Sequence, residues 1–192
     1  FPYTTLFRSL FYDGGHFLLE DNFLGNLIRR GIPELIVLSA AVIFAVWLYG
    51  KISCRVYGGI DSRVVLLTSG TMLVGPFLIV NGIFKTFWGR ARPRDIDLFG
   101  GSKVFSLPLE ISNQCAWDCS FMSGHTAVAF WLLAPALLVP KKFRPFAVAA
   151  ALLFGVTTAV FRIGQGAHFF SDVAFSALVM SLLIVAVYRR LF

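Results

Sequence analysis

Long apolar runs broken by short polar groups dominate this chain. Residues 33–50 form the first run, with Glu34 at its start and Lys51 at its end. A second covers 64–84, a third about 126–140, a fourth 145–161 and a fifth 173–188. Several approach the roughly 20 residues that cross a bilayer's hydrocarbon layer. The third is short, and the polar motif before it can extend it. Gly75, Pro76 and Gly82 interrupt the second, which membrane helices tolerate when neighbouring helices satisfy the backbone. Ahead of these runs, residues 17–31 mix Phe17, Leu18, Leu19, Phe23, Leu24, Leu27 and Ile28 with Glu20, Asp21, Arg29 and Arg30. That mixture predicts a short amphipathic helix lying at a membrane interface. The expected architecture is all-α: a polytopic transmembrane helical bundle with five spans.

Composition agrees. The 192 residues are 57% hydrophobic and 14% charged, against roughly half and a quarter in soluble domains. One domain suffices for this length. The start, Phe-Pro-Tyr-Thr-Thr-Leu-Phe-Arg-Ser at 1–9, reads like the in-frame translation of a short-read sequencing adapter. On that reading these residues take no part in the fold. The membrane domain is then 10–192, truncated at its N-terminus, with a sixth span lost upstream.

Five spans fix a parity. The segment before 33, the loop 85–125 and the loop 162–172 share one side of the membrane; the loops 51–63 and 141–144 and the C-terminus share the other. That second side carries Lys51, Arg55, Arg63, Lys141, Lys142, Arg144, Arg189 and Arg190, and the positive-inside rule makes it cytoplasmic. The first side is basic too, so the assignment needs its Lys and Arg to have another task.

The formal net charge of +7 falls in short groups between apolar runs. This argues against a nucleic-acid arm and for an anionic lipid or a phosphorylated substrate. Three polar clusters sit at the ends of apolar runs, and the parity puts all three on one face. They are Lys85-x6-Arg92-Pro93, Ser123-Gly124-His125 and Arg162-x5-His168-x3-Asp172. Lys85, Arg92 and Arg162 would bring three cations together, which near a membrane calls for an anion. Arginine's planar fork matches phosphate oxygens in pairs, and lysine adds a point charge. Ser123 offers a hydroxyl, Gly124 a backbone N–H, and a helix starting there points its positive end at the same place. His168 and Asp172 share a helical face. A carboxylate bonded to one imidazole nitrogen leaves the other free as a nucleophile. His125 is then available to protonate the leaving oxygen and later to activate water.

This combination resembles the type 2 phosphatidic acid phosphatase superfamily, whose fold is shared with vanadium haloperoxidases. The resemblance covers 33–190. It implies a haloperoxidase-like helical core in a bacterial inner membrane, with the site facing outward to the periplasm. It implies a metal-independent lipid phosphatase working without a cofactor. His168 would form a phosphohistidine, Asp172 would orient it, and His125 would be the general acid. Lys85, Arg92, Ser123, Gly124 and Arg162 would bind phosphate. Two positions depart from the family pattern: Met122 stands where proline is usual before Ser-Gly-His, and Phe161 where serine is usual before Arg162.

The long loop, with Phe99-Gly-Gly and Cys115-x3-Cys119-Ser-Phe, resembles that of the lipid A 4'-phosphatase and 1-phosphatase branch. The expected partner is therefore a phospholipid or glycolipid substrate, lipid A favoured. Undecaprenyl pyrophosphate and phosphatidylglycerol phosphate phosphatases are rivals, and so is a lipid phosphotransferase on the same site. A non-enzymatic lipid-binding protein or transporter would not require His168 with Asp172. Cys115 and Cys119 can form a disulfide if their loop meets an oxidising compartment. Cys54 stands alone. No histidine or cysteine spacing completes a metal site.

Overall fold

The computed structural model describes residues 10–20 and 22–192. The adapter-like segment 1–9 lies outside the described residues. Six helices carry the fold: α1 (Phe23–Arg30), α2 (Ile32–Ile52), α3 (Ser62–Phe87), α4 (Gly124–Leu138), α5 (Arg144–Gly164) and α6 (Phe170–Leu191). Among the described residues, four stretches are long and apolar enough to cross a membrane: α1 running on into α2, then α3, α5 and α6. The third apolar run is α4, shorter than the others and enclosed by them.

Burial explains how so short a helix persists. α4 packs against α2, α3, α5 and α6 at once. Its residues Ala127, Phe130, Trp131 and Ala134 lie in the main core with Leu67, Val80, Met180 and Ile184. The Trp131 indole N–H donates to the Thr68 carbonyl at 2.8 Å, which satisfies a polar group that would otherwise be costly to bury. Pro135 has no N–H to return to Trp131, and the helix loosens there into a turn.

Pro76 has a related effect on α3. Leu66–Gly70 and Leu73–Phe84 are wound with the wider i→i+5 pattern. The Asn81 amide donates to the Pro76 carbonyl at 2.7 Å. Gly75 then allows close approach of α6: a Cβ there would lie 2.3 Å from the Met180 sulfur.

The amphipathic helix expected over 17–31 starts later than expected, because residues 12–17 take another form. They form a hairpin, Tyr12–Asp13 paired antiparallel with His16–Phe17, and the helix begins only at Phe23. The Gly14-Gly15 turn has both φ angles positive, +56° and +94°, the arrangement two-residue hairpins favour. It delivers Phe17 into a second cluster with Ala91, Ile96, Phe99 and Phe169. The remaining helix, α1, keeps the interfacial character: Phe23, Leu24 and Leu27 are exposed while Gly25 and Ile28 are buried.

The loop 88–123 folds back over the helix ends. Gly89 sits at φ +62°, and a Cβ on it would fall 1.7 Å from the Ser112 carbonyl oxygen. Gly89→Ala is therefore expected to destabilise the chain by more than the about 1–2 kcal/mol of left-handed strain alone. Thermal unfolding in detergent measures this; an unchanged midpoint would show that the Trp88–Ser112 crossing is not a fixed contact.

Candidate active site

The polar clusters meet at one end of the bundle. Lys85 closes α3, Ser123 caps α4, Arg162 lies in the last turn of α5, and His168 and Asp172 flank the start of α6. Backbone bonds tie the ends together. The Ser123 N–H donates to the Asp172 carbonyl at 3.4 Å, Ser120 N–H to Arg90 at 2.8 Å, and Arg94 N–H to Gly166 at 3.0 Å.

His168 is fully buried. Its Nδ1 lies 2.7 Å from the Ser120 carbonyl, which can only accept, so Nδ1 carries the proton. Nε2 then holds the lone pair, and it has no hydrogen-bond partner among the described residues. Burial first, then the charges of Arg162, Arg92 and Lys85, hold the imidazole well below the ordinary histidine range. The ring is neutral at neutral pH, as a nucleophile must be.

Asp172 stands one step further back than the sequence suggests. Its Oδ2 is 3.9 Å from His168 Nδ1. That oxygen accepts from the Ser120 hydroxyl and from the Phe169 N–H at 2.9 Å, and Oδ1 accepts from Arg90. The carboxylate fixes Ser120, and the Ser120 carbonyl fixes the imidazole.

Sequence reasoning gave Arg90 no role in the site. It is buried, donates to the Ser106 carbonyl at 3.0 Å and to the Ser171 hydroxyl at 2.9 Å, and lies 4.3 Å from the centre of the Phe169 ring. A signal was present. Arg90 and Arg92 are two apart across a stretch that is not helical, and their partners differ: Arg90 pairs with Asp172, Arg92 with Asp118.

Asp118 was also missed. Its carboxylate bridges Lys85 and Arg92, and Arg92 donates to its carbonyl as well, at 2.8 and 3.1 Å. Burial works to raise the Asp118 carboxyl, but the hydrogen bond and charge of Lys85 and the charge of Arg92 outweigh it and hold the group below its usual range. The bridge is set within a tight loop. Cys115 and Cys119 form a disulfide with Cα atoms 5.6 Å apart, and Asp118 itself has φ +49°.

Ser123 is buried and caps α4. Its hydroxyl oxygen accepts from the Thr126 N–H at 3.4 Å and from the Thr126 hydroxyl at 2.9 Å, leaving its own proton to donate. Gly124 starts the helix under Asn81, whose amide oxygen would lie 3.1 Å from a Cβ. Arg162 is buried, donates to the Gln165 amide oxygen at 2.6 Å, and keeps its Nε without a partner among the described residues. His125 is half-buried, with Nε2 3.0 Å from the Arg29 carbonyl at the end of α1. Among the described residues, no group of three or more His, Cys, Asp or Glu side chains is placed to hold a metal ion.

Known proteins resemble the chain. The chain is 32% identical over 173 residues to a lipid A 4'-phosphatase of Francisella tularensis subsp. novicida, covering 90% of this chain and 77% of that one. It is 45% identical over 105 residues to a lipid A 4'-phosphatase of Rhizobium leguminosarum and 39% identical over 112 residues to one of Rhizobium etli. Those matches take in 54% and 58% of this chain but only 45% and 44% of the two Rhizobium proteins. No solved structure matches it significantly. The PAP2 superfamily profile matches residues 63–192, from the start of α3 through every cluster above, and the chain belongs to that superfamily.

Proposed function

We propose that the chain is a membrane phosphatase of the lipid A type, acting through a phosphohistidine on His168. The observation that carries this is the His168 side chain. It is buried and neutral, its Nδ1 is held by a backbone carbonyl, and its Nε2 is without a partner among the described residues, near Lys85, Arg92 and Arg162. Buried polar atoms are normally hydrogen-bonded, so a buried nitrogen left open is the exception. The names of the curated relatives support lipid A as the substrate class.

In the proposed reaction, the phosphate of the lipid rests on Lys85, Arg92, Arg162, the Ser123 hydroxyl and the first N–H groups of α4. His168 Nε2 attacks phosphorus, and the bond from phosphorus to the sugar oxygen breaks. His125 protonates that oxygen. It does so as the imidazolium, charged by a proton from solvent once the anionic lipid phosphate offsets the nearby cations, and α1 gives up the bond to the Arg29 carbonyl so that Nε2 can face the leaving oxygen. Water then attacks the phosphohistidine, His125 takes the water's proton, and cleavage of the phosphorus–nitrogen bond restores His168. Fixed cations stabilise the charge on the transferring group throughout.

Of the basic residues on the site's side of the bilayer, Lys85, Arg92 and Arg162 have this phosphate as their task, and Arg90 pairs with Asp172. That leaves Lys51, Arg55, Arg63, Lys141, Lys142, Arg144, Arg189 and Arg190 to mark the cytoplasmic side. The site then faces outward from a bacterial inner membrane.

Detergent-solubilised protein is expected to release inorganic phosphate from lipid A in the presence of EDTA, at a rate within about twofold of the rate without it. Loss of activity on chelation would overturn the metal-free mechanism. Recovery of labelled phosphate on a second lipid, rather than in solution, would make the chain a transferase.

A further inference from the structure

Beside the site lies a cavity of about 340 Å³ lined by Arg29, Arg30, Arg94, Arg162 and Gln165, with Glu20 and Asn26. Of the residues assigned above to phosphate binding and catalysis, only Arg162 lines it. Four guanidinium groups face one carboxylate, so the walls carry a net charge of about +3.

Among the described residues, little neutralises that charge. Arg29 and Arg30 have no ion pair among the described residues, and Arg94 meets only Asp95, at 3.8 Å. The buried donors agree. Gln165 gives its amide oxygen to Arg162, while its own NH₂ and the Arg162 Nε are buried without a partner among the described residues. A concave wall of convergent donors and few acceptors suits a group with several anionic oxygens. Arg162 is shared with the reacting phosphate, so the group bound here is close enough to belong to the same molecule.

We infer that this cavity is a second anion subsite. It holds a further phosphate, or the carboxylate of an acidic sugar, on the glycolipid whose first phosphate is transferred. The inference rests on reading the chain as a glycolipid phosphatase. Arg30 and Arg94 are the residues that separate the two sites, because neither is assigned to the reacting phosphate.

Arg30→Gln/Arg94→Gln tests it in the full chain. With bisphosphorylated lipid A, KM is expected to rise about tenfold, with kcat unchanged. With the same lipid carrying only the reacting phosphate, both constants should stay at wild-type values. A lipid that lacks the second phosphate but carries an acidic sugar distinguishes the two sources: a rise in KM there assigns the subsite to the carboxylate. Equal losses on all three lipids, or no loss on any, would overturn the inference. Equilibrium binding of a water-soluble bisphosphorylated glucosamine disaccharide gives a readout without turnover. Wild-type binding that the double variant weakens about tenfold supports the subsite even if no lipid is hydrolysed, in which case only the phosphatase reading falls. Equal binding by both proteins removes the subsite.

Discussion

His168→Ala is expected to lower turnover of the lipid by at least about a thousandfold, because the proposed reaction has no second nucleophile to attack phosphorus. The fold should survive. The ring makes one hydrogen bond, to the Ser120 carbonyl, and its removal costs a buried contact rather than a charge. Retention on gel filtration and an unchanged helical circular dichroism signal separate loss of chemistry from loss of structure. The same variant should fail to accumulate the acid-labile, base-stable phosphoenzyme expected of a phosphohistidine. Near-normal turnover would remove His168 from the nucleophile role.

Arg90→Ala is expected to have the largest effect on stability. The Arg90–Asp172 pair is fully enclosed, with side chains 2% and 0% exposed. Removing one member strands a carboxylate in the interior, a change that costs about 3–5 kcal/mol in buried pairs. Asp172 would keep the Ser120 hydroxyl and the Phe169 N–H but lose its counter-charge. Activity should fall as well, since Ser120 is the residue that holds the His168 ring. Arg90→Lys should recover little. An ammonium cannot reproduce a planar fork that reaches Ser106, Ser171 and Asp172 together while lying over Phe169. Thermal unfolding of Arg90→Ala, Asp172→Asn and the double variant closes the cycle: the double should lose clearly less than the sum of the singles. Additive losses would mean the two residues act separately.

Much of this was legible along the chain. A bilayer imposes a length on whatever crosses it, so the runs at 33–50, 64–84, 145–161 and 173–188 each appear as a helix of that length. Lys85, Ser123, Arg162 and His168 stand at the ends of such runs, and the fold brings them to one end of the bundle. What the residues did not reveal was set by contacts between distant segments. Asp118 reaches Lys85 across 33 positions, and no spacing announces that. Ser120 acts through its backbone carbonyl, which every residue has. Asp172 has the right spacing to touch His168, yet Ser120 comes between them. The hairpin was more accessible. Asp13-Gly14-Gly15 is a turn signal, hidden by the apolar residues that follow and suit an interfacial helix equally well.

Asp118 bears on how the pocket trades its occupants. Its carboxylate spans the same two cations that a phosphate would need. On the proposed reading, an arriving phosphate would take over an existing ionic bridge instead of meeting bare charge. Net affinity becomes a difference between two attractions, which keeps a strongly cationic pocket from gripping every passing anion. On the proposed reading, return of the Asp118 carboxylate to the two cations would favour release of freed phosphate, so a tightly charged cradle could still turn over.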